Sequence, residues 1–190
     1  MIPFRLYVVC EAPFATAEKI LAIAREGGER VAFYLRGGSV ALLPEIGLAN
    51  LHGARVFLPR AASGLDFGCH LKAVEIVHAP DEKRRAILVG ASAHSEDEAR
   101  AAREAGCDFA VFGHVWETPS KRGLAPRGLD ALAAACRAAA PLPVLAIGGV
   151  TPERVPDCLA AGAFGVAAIR AVLDAGDPRQ AARAYLRALG

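Results

Sequence analysis

Short apolar runs rich in β-branched residues alternate along this chain with Ala-rich stretches in which apolar positions recur every three to four residues. "RLYVVC" over 5–10 and "RVAFYL" over 30–35 predict strands, and "ATAEKILAIAREGG" over 15–28 predicts the helix between them. Thr16 stands where a cap belongs, Ile20, Leu21, Ile23 and Ala24 recur at helical spacing, and Gly27–Gly28 stops the helix. The second half repeats the alternation: strand 86–92, helix 95–105, strand 109–115, helix 128–138, strand 143–149, helix 152–161, strand 164–169 and a closing helix 178–189. Strand following helix throughout predicts parallel pairing through right-handed crossovers. Strands that are apolar on nearly every position predict a sheet covered on both faces.

An open doubly wound sheet and a closed (β/α)8 barrel both satisfy this order, and the last third favours the barrel. "AIGGV" at 146–150 and "GVAAIRAV" at 165–172 put glycine-flanked turns after the final two strands, where such barrels hold a phosphate on backbone N–H groups. Gly148 and Gly149 let the chain approach an anion closely, and Ala168 and Ile169 open a short turn whose amides point the same way. The competing reading is that these glycines only make tight strand-to-helix turns. No dinucleotide or nucleoside triphosphate fingerprint is present. The middle of the chain is harder to read. Residues 36–59 are too few for a full helix, strand and helix and show one strand at 54–58, so a βα unit is expected to be shortened or missing there. "CHLKAVEIVHAPDEKRR" over 69–85 resists assignment.

Composition narrows the partners. A chain of 190 residues is read as one domain, 1–190, with a core large enough to need no staples. With 22 Lys+Arg against 20 Asp+Glu the formal charge is +2, which gives no basic field for nucleic acid or an anionic membrane. Cys10, Cys69, Cys107, Cys136 and Cys158 are odd in number and form no C-x-x-C pair, so they read as reduced thiols rather than a disulfide frame or a metal site. With no signal-peptide pattern at the N-terminus and no apolar run of membrane length, a cytoplasmic location is expected. Ala-rich helix faces allow a homo-oligomer without specifying one.

The chemistry concentrates in "FGHVWETPSKRG" over 112–123. His114 ends a parallel strand, the position from which barrel enzymes present catalytic groups, and an imidazole there can hold or release a proton near neutral pH. The alternative is a half-buried ring that ties down the following loop. Thr118, Ser120, Lys121, Arg122 and Arg127 supply hydroxyls and cations to that loop, either as donors to an anionic ligand or as a solvated surface. His94 precedes Ser95 and Glu98, a capping box, and reads as part of that cap. His52, His70 and His78 have no ligand spacing and read as ordinary.

"VGASAHSEDEARAAREAGCDFAVFGHVWETPSKRGLAPRGLDAL" and "LPVLAIGGVTPERVPDCLAAGAFGVAAIRAVL", within residues 89–173, resemble the thiamine phosphate synthase superfamily, whose fold is the (β/α)8 barrel. That resemblance implies one of two activities. The synthases join a pyrimidine pyrophosphate to a thiazole phosphate with Mg2+, using an Arg-Glu-Lys after the second strand and an Asn-Asp before the fourth. Here Arg36 is followed by Gly37 and Gly38, and no Asn-Asp occurs. The related thiazole tautomerases carry G-H-V-[FW]-x-T, matched by Gly113 to Thr118, followed by R-G-L, matched by Arg127 to Leu129. The resemblance therefore implies a metal-independent isomerase without a cofactor. His114 would shuttle a proton to aromatise a small phosphorylated thiazole, the backbone at Gly148, Gly149, Ala168 and Ile169 would hold its phosphate, and Arg36, Thr118, Ser120 and Lys121 would contact it. A non-catalytic phosphate-ligand-binding paralogue is the second reading, and a synthase with rearranged metal ligands is the third.

Overall fold

The computed structural model of the chain describes residues 2–190. Its strands are β1 (Leu6–Cys10), β2 (Val31–Leu35), β3 (Arg55–Pro59), β4 (Gly68–Leu71), β5 (Val89–Ala93), β6 (Phe109–Gly113), β7 (Val144–Ile147) and β8 (Gly165–Ala168). All pair in parallel with their sequence neighbours, and β8 closes on β1 with Leu6 opposite Val166 and Val8 opposite Ala168. This is the closed (β/α)8 barrel.

The strands are apolar throughout because each has two dry faces. Leu6, Val8 and Cys10 of β1 point out into the layer shared with the helices, while Tyr7 and Val9 point into the barrel. The same alternation puts Phe33 outside and Tyr34 inside on β2, and Val56 and Leu58 outside and Phe57 inside on β3. The inner floor is aromatic: Phe57 and Phe109 meet each other and both Phe4 and Tyr7 edge to face with ring centroids 5.2–5.6 Å apart, while Phe4 and Tyr7 stack at 5.8 Å. These rings fit because glycine faces them. A Cβ on Gly68 would lie 2.2 Å from Phe57, and one on Gly90 2.2 Å from Phe109.

The helices are α1 (Ala17–Gly27), α2 (Leu43–Ile46), α3 (Ala79–Glu82), α4 (Glu96–Glu104), α5 (Gly128–Ala139), α6 (Val155–Ala160), α7 (Arg170–Leu173) and α8 (Pro178–Leu189). Thr16 caps α1 through Lys19 N, and Ser95 caps α4 through Glu98 N at 3.1 Å. In α4 the Glu98 carboxylate reaches back to the amide and ring of His94.

The middle of the chain departs from the expectation in a specific way. No strand is missing: the β2–β3 connection is shortened to a 3-10 turn, the four residues of α2 and a second 3-10 turn. The unassigned 69–85 segment holds most of β4, followed by a 3-10 turn and α3. Between β3 and β4 the usual helix is replaced by one 3-10 turn over Arg60–Ala62. A buried carboxylate pins this connection. Glu82 is 1% exposed; it accepts from Ser63 Oγ at 2.9 Å and from Arg60 Nε at 3.3 Å, with Arg85 3.7 Å away. The five cysteines are free thiols, and burial raises the pKa of each. Among the described residues no helix is long and apolar enough to cross a membrane.

Candidate active site at the mouth of the barrel

The C-terminal ends of the strands surround a cavity of about 610 Å³. Its walls contain every residue that the sequence put forward as a substrate contact: Arg36 after β2, His114, Thr118, Ser120 and Lys121 after β6, Gly148 and Gly149 after β7, and Ala168 and Ile169 at the end of β8. Residues as distant in the chain as Arg36 and Ile169 thus meet in one space because parallel strands all deliver their loops to the same end.

Gly148 and Gly149 have φ of +95° and +66°, a region that favours glycine. The space around them is equally restrictive, since a Cβ would lie 2.3 Å from His114 Cβ at Gly148 and 2.5 Å from the Glu117 carbonyl at Gly149. The two glycines therefore admit the β6 loop against the β7 turn, and both line the cavity. Trp116 N donates to Gly148 O at 3.0 Å and Val115 N to Ile147 O at 2.9 Å, which locks that approach. Among the described residues the amides of Gly148, Gly149 and Ile169 donate to no protein acceptor, and all three residues line the cavity.

His114 is 9% exposed and its Nε2 lies 3.3 Å from the Leu124 carbonyl, so the ring ties the β6 loop to its own base. The loop is closed below by Arg127 N donating to His114 O and Gly128 N to Val115 O, each at 3.0 Å. Its tip is exposed, with Thr118 Oγ1 and Ser120 Oγ 3.2 Å apart. Arg36 is held by Glu11, to which its Nε donates at 2.9 Å, so its charge at the rim is already paired.

The structure adds residues that the sequence did not single out. Arg154 donates from Nη1 to Gly149 O at 2.6 Å and lies 5.1 Å over the Trp116 ring, placing a guanidinium beside the Gly149 backbone. Its signal was weak because it sits in a 3-10 turn with no motif around it. Tyr34, His70 and Ser92, from three strands, make the cavity floor. Burial, with Arg36 adding repulsion, lowers the His70 pKa from 6.5 to about 3, so its ring is neutral; burial likewise raises Tyr34 to about 12.

The thiamine monophosphate synthase family model matches residues 62–172. The thiamine-phosphate synthase of Thermus thermophilus is 37% identical over 172 residues, 90% of this chain and 72% of that one. With a Geobacter sulfurreducens relative, a putative thiamine-phosphate synthase, the match is 46% identical over 103 residues, so this chain spans 48% of that protein's length. Among solved structures, the thiamine phosphate pyrophosphorylase from Pyrococcus furiosus superposes with a TM-score of 0.78 at 25% identity, over 99% of this chain and 96% of that one. These findings correct the expected activity. The relatives aligned over most of this chain carry the name thiamine-phosphate synthase, so the tautomerase expectation and its isomerase class are overturned in favour of the synthase placed third. The proton-shuttle role assigned to His114 belonged to that isomerase. On the family model, the long alignments and the superposition together, this chain belongs to the thiamine monophosphate synthase family.

Proposed function

We propose that this chain is a transferase of the thiamine-phosphate synthase type, which binds a phosphorylated thiazole at the barrel mouth and joins it to a pyrimidine with loss of pyrophosphate. The observation that carries this reading is the open amide cradle of Gly148, Gly149 and Ile169 in a chain aligned over nine-tenths of its length with a synthase. The thiazole phosphate would sit on those amides with Arg154 beside them, which places its ring over the Tyr34–His70–Ser92 floor. The β6 loop, through Thr118, Ser120 and Lys121, would cover the second substrate and exclude water.

The family's Mg2+ does not fit the residues present. The acidic side chains on the cavity wall are Glu11, Glu117 and Asp174, and Glu11 is taken up by Arg36. Among the described residues no group of three or more His, Cys, Asp or Glu side chains converges on a point. Gly37 and Gly38 follow Arg36 where the synthases carry Glu and Lys. This donor set favours a second reading, a protein that binds the thiazole phosphate without turning it over.

One experiment separates them. The purified chain is incubated with thiazole phosphate, the aminopyrimidine pyrophosphate and Mg2+, and thiamine phosphate is quantified by fluorescence after oxidation. Product above a no-protein control is the expected result. Saturable binding of thiazole phosphate without product moves the assignment to the second reading, and absence of both overturns both.

A further inference from the structure

A continuous polar chain runs through the barrel interior beneath the cradle. The Tyr7 hydroxyl on β1 lies 3.0 Å from His70 Nδ1 on β4, and His70 Nε2 lies 3.0 Å from Ser92 Oγ on β5. Tyr7 is fully buried and His70 is 4% exposed, whereas Ser92 is half-buried and faces the cavity. The Tyr34 ring packs on the His70 ring with centroids 4.3 Å apart at 27°.

The direction of this chain follows from its buried end. Among the described residues the Tyr7 hydroxyl has no partner other than His70, and a phenol proton left without an acceptor in the interior is costly. Tyr7 therefore donates, and Nδ1 accepts. In a neutral imidazole the proton then resides on Nε2, which donates to Ser92 Oγ. Accepting that bond uses one lone pair of the Ser92 oxygen and leaves its own hydrogen free to be given to a group in the cavity. Neutrality of the ring is enforced from every side. Tyr7, Tyr34, Ser92 and Phe109 surround it, no carboxylate bonds to it, and the charge that reaches it is that of Arg36, which disfavours a second proton.

We propose that Tyr7 and His70 act as positioning residues that hold the Ser92 hydroxyl on the cavity floor, where it donates to a bare acceptor atom, such as a ring nitrogen, at the edge of a flat ring. Tyr34 supplies the apolar face against which the ring lies. The ring-binding part rests on the proposed heterocycle reading of the site; the proton arrangement does not.

Two measurements test it. In 15N-labelled wild-type protein, two-dimensional histidine spectra between pH 5.5 and 8 are expected to show His70 neutral, protonated on Nε2, and without titration. A charged His70, or a proton on Nδ1, overturns the proposal whatever the protein binds. Calorimetric titration with thiazole phosphate then reads the donor. Ser92→Ala and His70→Leu are each expected to weaken binding by about 10-fold, while His70→Gln, whose amide can donate to Ser92, recovers to within about 3-fold of wild type. Inorganic phosphate, which needs only the cradle, should bind all variants as it binds wild type. If wild type binds thiazole phosphate and the variants bind it equally well, the donor role falls. If wild type binds neither ligand, the heterocycle reading fails, and the spectra alone decide the proton arrangement.

Discussion

The two sides of the barrel are built differently. From β5 to β8 each strand is followed by a recognisable helix, with nine residues in α4 and twelve in α5. From β2 to β4 the connections hold no α-helix longer than the four-residue α2, the rest being 3-10 turns of three to six residues, and β3 reaches β4 through a single one of these. Both sides nonetheless close one ladder, because hydrogen bonds between parallel strands and the aromatic filling of the interior do not depend on how long the outer helix is. What the short side lacks in helix it replaces with the buried Glu82, which holds the Arg60–Ser63 turn against α3. The site divides along the same line. The proposed anion cradle comes from the regular side, and Tyr34 and His70 of the floor come from the short side.

This contrast can be broken at several points. The largest effect is expected from Glu82→Ala, which removes the carboxylate that Ser63, Arg60 and Arg85 share and should cost roughly 3 kcal/mol in denaturant unfolding. A loss below about 0.5 kcal/mol would mean that the short side is held by packing alone. On the regular side Gly148→Ala forces a Cβ to within 2.3 Å of His114 Cβ at a positive φ, and about 2 kcal/mol of stability should be lost together with phosphate affinity. Acid should act through the short side. The His70 pKa is depressed in the fold, so the unfolded chain takes up a proton that the folded one refuses. Its contribution is complete above pH 6.5 and is lost as pH falls from there toward about 3. The slope from this group approaches ~1.4 kcal/mol per pH unit, and His70→Gln should flatten it in unfolding curves taken between pH 6.5 and 4. The smallest effect belongs to Gly38→Ala: that glycine has ordinary φ, and no atom lies within 4 Å of the place its new methyl would take, so a change within about 0.5 kcal/mol is expected.

The same contrast explains what the sequence revealed. Helices such as α1, α4 and α5 are long enough to show their period, and Thr16 and Ser95 announce the caps of α1 and α4, so these parts could be read directly. β4 could not, because "GCHL" is four residues long and begins with a glycine whose missing side chain is what makes room for Phe57. Glu82 gave no signal either, since a Glu in "PDEKRR" looks like a solvated charge until the fold buries it. The two turns of the proposed cradle were legible because they are glycine-flanked and stand at successive strand ends. The floor was not: Tyr34, His70 and Ser92 have no common spacing and meet only when β2, β4 and β5 are rolled into a barrel. His114 stood out as a titratable ring, yet the structure engages it with the Leu124 carbonyl.

Backbone amide resonances read the proposed anion cradle directly. On titration of 15N-labelled protein with thiazole phosphate, the amides of Gly148, Gly149 and Ile169 should shift together and saturate, and the unphosphorylated thiazole alcohol should leave them in place. Shifts confined to other loops, or none at any concentration of the phosphate, would contradict it.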